Sequence, residues 1–473
     1  MPDTEPALPL LSANVERCAQ VIAANELERA KEDLRRLVSI RSVSARSEGL
    51  DECASAVAQL LSDEGFATRI HSGEIAPFVV GEIGQGPATV MIYNHYDVQP
   101  EEPVELWTDP PFQMTERDGR LYGRGVADDK GEFVSRLAGW RRFWDNHDGD
   151  LPFKLVWIVD GEEEIGSPSL DAFLARHFQG ERIDLCWWEF GEVDTHGTPI
   201  ILLGFKGVLA VELRCRTARA DLHSSLGAAV ENPLWRLASA VSSLRDETGR
   251  ILIEGFYSDV VAPNANSLAL TTEPPFSLES VKHATGAHRL LVGVDDNTFF
   301  SRLNFEPCLN VNGFSGGYGG DGTKTVLPAT GFAKLDFRLV PNQNPKTVAE
   351  RLRLHLDRNG FEDIELIIHD AEVCPIRSDP EHWSVREAVP ILQQWFGRSP
   401  ILQPSSPASG TAHPFVERLG ATIVGIGLTH HGAMLHSPDE NILLDHLSKM
   451  IGFTSDYLAR ITALMSEAPT SSA

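Results

Sequence analysis

The chain has 473 residues, with 41 lysines and arginines against 67 aspartates and glutamates, for a formal net charge of −26. That length allows two or more domains with a sizeable core. The acidic balance, with no basic block and no RNP-like, zinc-finger or helix-turn-helix signature, argues against nucleic acid as a partner. No apolar run approaches the roughly 20 residues of a membrane span, and the start Met1-Pro2-Asp3-Thr4-Glu5-Pro6 lacks the basic opening of an export signal. The expectation is a cytoplasmic protein that does not enter membranes. Cys18, Cys53, Cys186, Cys215, Cys308 and Cys374 have neither metal-finger nor disulfide-scaffold spacing, which predicts reduced and mostly buried thiols.

In chain order, residues 1–11 read as a loose lead. Residues 14–38 carry helical periodicity through Val15, Cys18, Val21, Ile22, Leu34 and Leu37, and 49–64 predict a second helix ended by Gly65. Residues 66–70, 78–83 and 88–93 predict strands, and 100–115 an ordered surface loop. A helix is expected over 130–146, a buried strand over 154–159, a helix over 168–177 and a short strand over 183–188. After Gly207 the pattern changes to the one-face alternation of Val208 to Thr217, where a domain boundary is expected. A helix over 231–244, a strand over 251–257 and a linker over 263–270 follow. Residues 275–299 give mixed signals, and 314–322 form a glycine-dense loop. Residues 333–340 predict a strand with Ala333, Leu335, Phe337 and Leu339 on one face; then come a helix over 345–358 and a strand over 364–368. From about Pro375 the chain returns to helix, loop, buried strand (421–427) and a final helix. The fold class is therefore α/β, with a mixed, mostly parallel sheet flanked by helices and an inserted α+β domain. The boundaries are 1–206 and 375–473 for the two parts of the first domain and 207–374 for the insertion.

Polar clusters close the apolar strands: Asn94-His95-Tyr96-Asp97, Asp128-Asp129-Lys130 and Glu162-Glu163-Glu164. Strand ends of such sheets are where sites are built, and histidine with carboxylates suits hard or borderline divalent metals. Asp97 could orient His95 as its carboxylate partner. Asp128 and Asp129 could equally cap the helix that follows, although capping explains neither the flanking glycines nor Lys130. Of three adjacent glutamates, one could bind metal while a neighbour, raised by like charge, relays a proton. Glu189 ends the 183–188 strand, and His436 competes on composition with His430 and His431. No Gly-x-Ser-x-Gly elbow, phosphate loop, dinucleotide fingerprint, Cys-x-x-Cys or His-Glu-x-x-His is present.

Taken together, the chain resembles the M20 family of metallopeptidases. The matching pieces are Tyr93 to Pro100, Tyr122 to Gly131, Glu163 to Ser167, Asp221-Leu222-His223-Ser224, Gly316 to Pro328, Arg338 to Pro341 and His436 to Asn441, in family order. The stretch from Gly316 to Pro328 points to the carnosinase-like dipeptidase branch. The resemblance implies a zinc-exopeptidase type of sheet and a ferredoxin-like inserted lid and dimerisation domain. It also implies two divalent ions per subunit, zinc first, with manganese or cobalt also compatible. His95 and Glu189 would hold one metal, Glu164 and His436 the other, and Asp128 would bridge. Glu192 or Asp194 could replace Glu189. Asp97 would orient His95, and Glu163 would be the general base. His223 would reach the partner subunit's site of a homodimer and hold the oxyanion. Arg338, with Thr325 beside it, would bind the substrate carboxylate, and Ser409, Gly410 and Thr411 would shape the acyl side.

The sequence departs from the family pattern at Asn94, where glycine is usual, at Ser225, where glycine is usual, and at the 409–414 loop. The implied substrate is a dipeptide or short peptide. An N-acyl or N-carbamoyl amino acid is the alternative, and a non-catalytic binding protein on the same scaffold is a remote one.

Overall fold

The computed structural model describes residues 22–270 and 278–467. The lead over 1–11, the periodic residues Val15, Cys18 and Val21, and residues 275–277 lie outside the described residues.

A ten-stranded sheet carries most of the chain. Thr89–His95, Lys154–Asp160, Leu185–Trp188 and Thr422–Gly425 form its parallel middle, and Ala67–His71 and Phe78–Ile83 add an antiparallel edge. The period-two geometry of a strand sends alternate side chains to opposite faces. Val90, Ile92, Leu155, Trp157, Val159, Leu185 and Trp187 enter one core, under helices that include Ala24–Val38, Leu50–Asp63, Lys130–Trp144 and Leu444–Glu467. Met91, Tyr93, Val156, Ile158, Cys186 and Trp188 enter the other, under Leu170–His177 and His413–Leu419. Both faces are covered, so these strands read as unbroken apolar runs. The expected α/β class with a mixed, largely parallel sheet is what the chain adopts.

A separate four-stranded antiparallel sheet has the order Cys308–Gly316, Thr330–Leu339, Gly207–Arg216, Glu365–Val373. Ala333, Leu335, Phe337 and Leu339 are all buried on the expected single face. They join Leu209, Val211 and Leu213 in a third core under Pro233–Ser243 and Pro345–Arg358.

Two local readings differ from the structure. The expected strand over 251–257 is a series of turns, and only Ile251 makes a bridge, to Arg245. Ile251, Ile253 and Phe256 are buried as plugs in the third core, so their spacing reflects burial rather than extension. The expected linker over 263–270 contains the helix Ala265–Ala269, whose first turn is capped by the Asn264 side chain accepting the Ser267 N–H. Within 275–299 lie the helix Leu278–Thr285 and the start of Asp296–Phe305. Among the described cysteines, Cys53, Cys186 and Cys215 are buried and none is in a disulfide.

Candidate metal centre

The strand ends deliver the acidic clusters to one place. Asp128 is central: its Oδ1 lies 2.9 Å from His95 Nε2 and its Oδ2 lies 3.0 Å from His436 Nε2. His436 Nε2 is also 3.3 Å from Glu164 Oε2. Two triads result, His95 with Glu163 and Glu189, and Asp128 with Glu164 and His436; within each, the ligand atoms lie within 4.8 Å of one another. Glu163 therefore stands beside the first pair rather than apart from it.

The surroundings fix each of these groups. His95 Nδ1 donates to the main-chain carbonyl of Asp97 at 3.0 Å, which turns Nε2 toward Asp128. The Asp97 carboxylate, 3.4 Å from the same nitrogen, instead accepts the backbone N–H groups of Glu163 and Glu164 at 3.2 and 3.0 Å. Glu164 in turn accepts from the backbone and side chain of Gln99. Glu162 is spent elsewhere, on the N–H groups of Ile75, Ala76 and Ser169, which separates it from its two neighbours.

Asp129 starts the helix Lys130–Trp144 but makes no side-chain cap. Its carboxylate accepts from the Asn94 amide at 2.6 Å and from the His95 N–H at 2.9 Å. Lys130 donates to the carbonyls of Leu37 and Ile40, closing the end of the first helix. Gly131 is required because a Cβ there would meet the Val126 carbonyl oxygen at 1.9 Å.

Sequence reasoning missed three supports. Buried Glu440 accepts the N–H groups of Gly125, Ala127 and Asp128 and pairs with buried Arg124 at 2.7 Å, which holds the Asp128 loop. Buried Arg136 donates to the carbonyls of Tyr93, Trp188, Glu189 and Ile426, tying three strand ends together. The side-chain oxygen of Asn94 accepts from Arg136 and Trp157 while its amide holds Asp129, so the departure from glycine is a satisfied buried amide. A signal was present: Glu440 lies in the late motif after His436, and Asn94 stood out as a departure.

The competitors His430, His431, Glu192 and Asp194 join neither triad among the described residues. His430 is buried, with its ring nitrogens on Asn441 Oδ1 and the Gly432 N–H. Asp194 closes a turn by accepting the N–H groups of His196 and Thr198.

The electrostatics follow from crowding. Burial, reinforced by the Glu164, Asp128 and Asp97 charges, pushes Glu163 up to about 8 against the pull of His95. Burial and Glu163 raise Glu189 well above the usual carboxylate range. Asp128 is opposed by burial, yet hydrogen bonds to His436 and His95 hold it below that range. The same bonds from Asp128 and Glu164 push His436 up to about 10. Carboxylates this close need protons or cations between them. The donor set of imidazole and carboxylate suits a divalent ion, and buried Glu189 Oε2 has no hydrogen-bond partner, an orphaned acceptor that a cation would satisfy.

The remaining predicted residues form two groups. Arg338 donates to Asp336 at 2.9 Å and to Ser409 Oγ at 3.1 Å, so it meets the 409–411 loop. Gly410 packs on Phe205, and Thr411 Oγ1 is buried without a partner. His223 is exposed, and its strand Leu222–His223 pairs with Val326–Leu327. Thr325 belongs to this second group, its carbonyl accepting the Ser224 N–H at 3.1 Å. Among the described residues, no hydrogen bond of His223 reaches either triad.

A two-metal amide hydrolase is the class that this fold and site define. Residues 91–460 match the model of peptidase family M20/M25/M40, and the chain belongs to that family. It is 27% identical over 406 residues to the Cys-Gly metallodipeptidase dug1 of Schizosaccharomyces pombe, covering 82% of this chain and 84% of that protein. It is 30% identical over 295 residues to the Beta-Ala-His dipeptidase of Homo sapiens, covering 60% of this chain and 56% of that protein. Its structure is similar to that of an M20 family metallo-carboxypeptidase, Sso-CP2, from Sulfolobus solfataricus, with a TM-score of 0.84, 34% identity, and coverage of 92% of this chain and 99% of that one. Among the described residues no helix is long and apolar enough to cross a membrane.

Proposed function

We propose that the chain hydrolyses the amide bond of dipeptides or short peptides. The observation that carries this reading is the pair of triads hinged on Asp128, which touches both His95 and His436. In this reading His95 and Glu189 would hold one divalent ion, Glu164 and His436 the other, with Asp128 shared between them; such ions, zinc first, would supply Lewis-acid polarisation and a water of lowered pKa.

Glu163 is the general base. Its carboxyl stands beside His95 and Glu189, where it takes a proton from the attacking water and returns it to the leaving amine. Asp97 keeps the His95 and Glu163–Glu164 elements in register. His223 donates to the oxyanion in the partner subunit's site of a homodimer, with Thr325 beside it. Arg338 grips the substrate carboxylate as a fork, supported by Ser409. Residues 1–206 and 375–473 form the catalytic domain and 207–374 the inserted lid and dimerisation domain, in a cytoplasmic enzyme.

Replacing Glu163 by Gln tests the reading. Metal content stays near two per chain while turnover falls by roughly a thousandfold or more, at the upper part of the range for a lost acid–base group. Undiminished turnover refutes the base assignment. An N-acyl or N-carbamoyl amino acid is the second reading, prompted by the departing 409–414 loop and the unpartnered Thr411 hydroxyl. A panel of dipeptides, β-alanyl ones included, against N-acyl and N-carbamoyl amino acids separates the two by kcat/KM.

A further inference from the structure

The two ring nitrogens of His223 have different surroundings. Nδ1 accepts the backbone N–H of Ser225 at 3.2 Å and lies 2.9 Å from the Ser225 hydroxyl oxygen. Nε2 has no hydrogen-bond partner among the described residues, and the side chain is exposed. A neutral imidazole carries one proton. A nitrogen that accepts a backbone N–H is the bare one, so the proton sits on Nε2. The Ser225 hydroxyl then has a bare nitrogen to donate to, and the ring is held by two donors from one residue.

The backbone around it is also held. His223 is extended, the Ser224–Ala228 turn begins directly after it, and the Ser224 N–H is tied to the Thr325 carbonyl at 3.1 Å. The ring plane and its outward edge are therefore set by a braced strand end and a braced turn.

Among the described residues the same arrangement recurs at His382 and Ser384, where it caps the helix Trp383–Phe396 on a half-buried ring. By itself it is thus a capping device. At His223 it is applied to an exposed ring whose other nitrogen is free, at the position where the resemblance leads one to expect glycine rather than Ser225.

We propose that Ser225 is a positioning residue that fixes His223 as the Nε2–H tautomer, presenting a ready donor to the substrate oxyanion. This rests on the role of His223 proposed above. No proton moves in this step: the Nε2–H is donated as a hydrogen bond when negative charge develops on the carbonyl oxygen. A ring free to exchange tautomers would offer a bare Nε2, and hence lone-pair repulsion, for part of the time.

The test uses the full metal-loaded chain. NMR of nitrogen-labelled histidine, with His223→Ala to assign the signal, is expected to show a bare Nδ1 and a protonated Nε2. A proton on Nδ1 in the unmodified chain overturns the proposal whatever the variants do. In kinetics, His223→Ala is expected to lose about 100-fold in kcat. Ser225→Ala is expected to lose roughly fivefold in kcat, the worth of one neutral hydrogen bond, with KM and metal content unchanged. Ser225→Thr restores the rate, and Ser225→Ala adds nothing in the His223→Ala background. A slow His223→Ala beside a Ser225→Ala of unaltered kcat overturns the role of Ser225 alone. A fully active His223→Ala overturns the proposed role of His223 itself.

Discussion

The Asp97 carboxylate accepts the backbone N–H groups of both Glu163 and Glu164, at 3.2 and 3.0 Å. One buried acid thereby ties the strand that ends in His95 to the turn that carries the two glutamates. Replacing Asp97 by Ala removes both bonds while leaving the carbonyl that holds His95 Nδ1. Metal affinity is expected to fall about 10–100-fold, the usual cost of losing an outer partner of a metal site. Calorimetric titration of the chelator-stripped variant measures it, and affinity equal to that of the unmodified chain would remove Asp97 from this role.

Glu440 and Arg124 form a fully buried pair, and Glu440 also accepts three backbone N–H groups. Glu440→Ala leaves a buried guanidinium without its counter-charge. Breaking such a pair costs about 3–5 kcal/mol. Because the Asp128 N–H is one of the released donors, metal occupancy is expected to fall with stability. Urea unfolding followed by metal analysis reads both. A variant as stable as the parent would mean that water replaces the carboxylate at no cost.

In the metal-free chain, two groups of the site push the pH dependence of stability in one direction. Glu163 rises from its usual 4.5 to about 8, and His436 from 6.5 to about 10. Both groups bind protons more tightly when folded, so their contribution is fully present below the unfolded values and is lost as pH rises through the folded ones. The contribution of these two groups to the chelated chain is therefore expected to fall from about pH 5 toward about pH 10. Divalent ions compete with those protons, so the gain in Tm on adding metal widens over the same interval. Thermal unfolding at pH 6 and pH 8, with and without added zinc, checks this; a gap that does not change with pH contradicts it.

The sheet and the site were legible because both depend on period two and on where polarity interrupts it. Runs such as Val90-Met91-Ile92 and Leu155 to Val159 are buried on both sides, and the polar clusters that follow them mark the strand ends. That located the clusters at His95, Asp128–Asp129, Glu162–Glu164 and Glu189; naming Asp128, Glu164 and His436 within their clusters came from the family resemblance. What composition and spacing could not show, and only the resemblance supplied, was the division of labour among adjacent acids. Glu162 accepts the N–H groups of Ile75, Ala76 and Ser169 while Glu163 stands with His95 and Glu189, and Asp129 differs from Asp128 in facing Asn94. Long-range satisfiers such as Arg136 and Glu440 were hidden for the same reason, since their partners lie up to 316 residues away. The 251–257 misreading has the opposite origin: turns that bury every second or third apolar residue imitate a strand.

Metal content measured together with turnover tests the central claim most directly. The chain loaded with zinc is expected to hold two ions, to lose hydrolysis of dipeptides when a chelator strips both, and to regain it as the second equivalent is returned. Undiminished turnover by a chain shown to hold no divalent ion would contradict it.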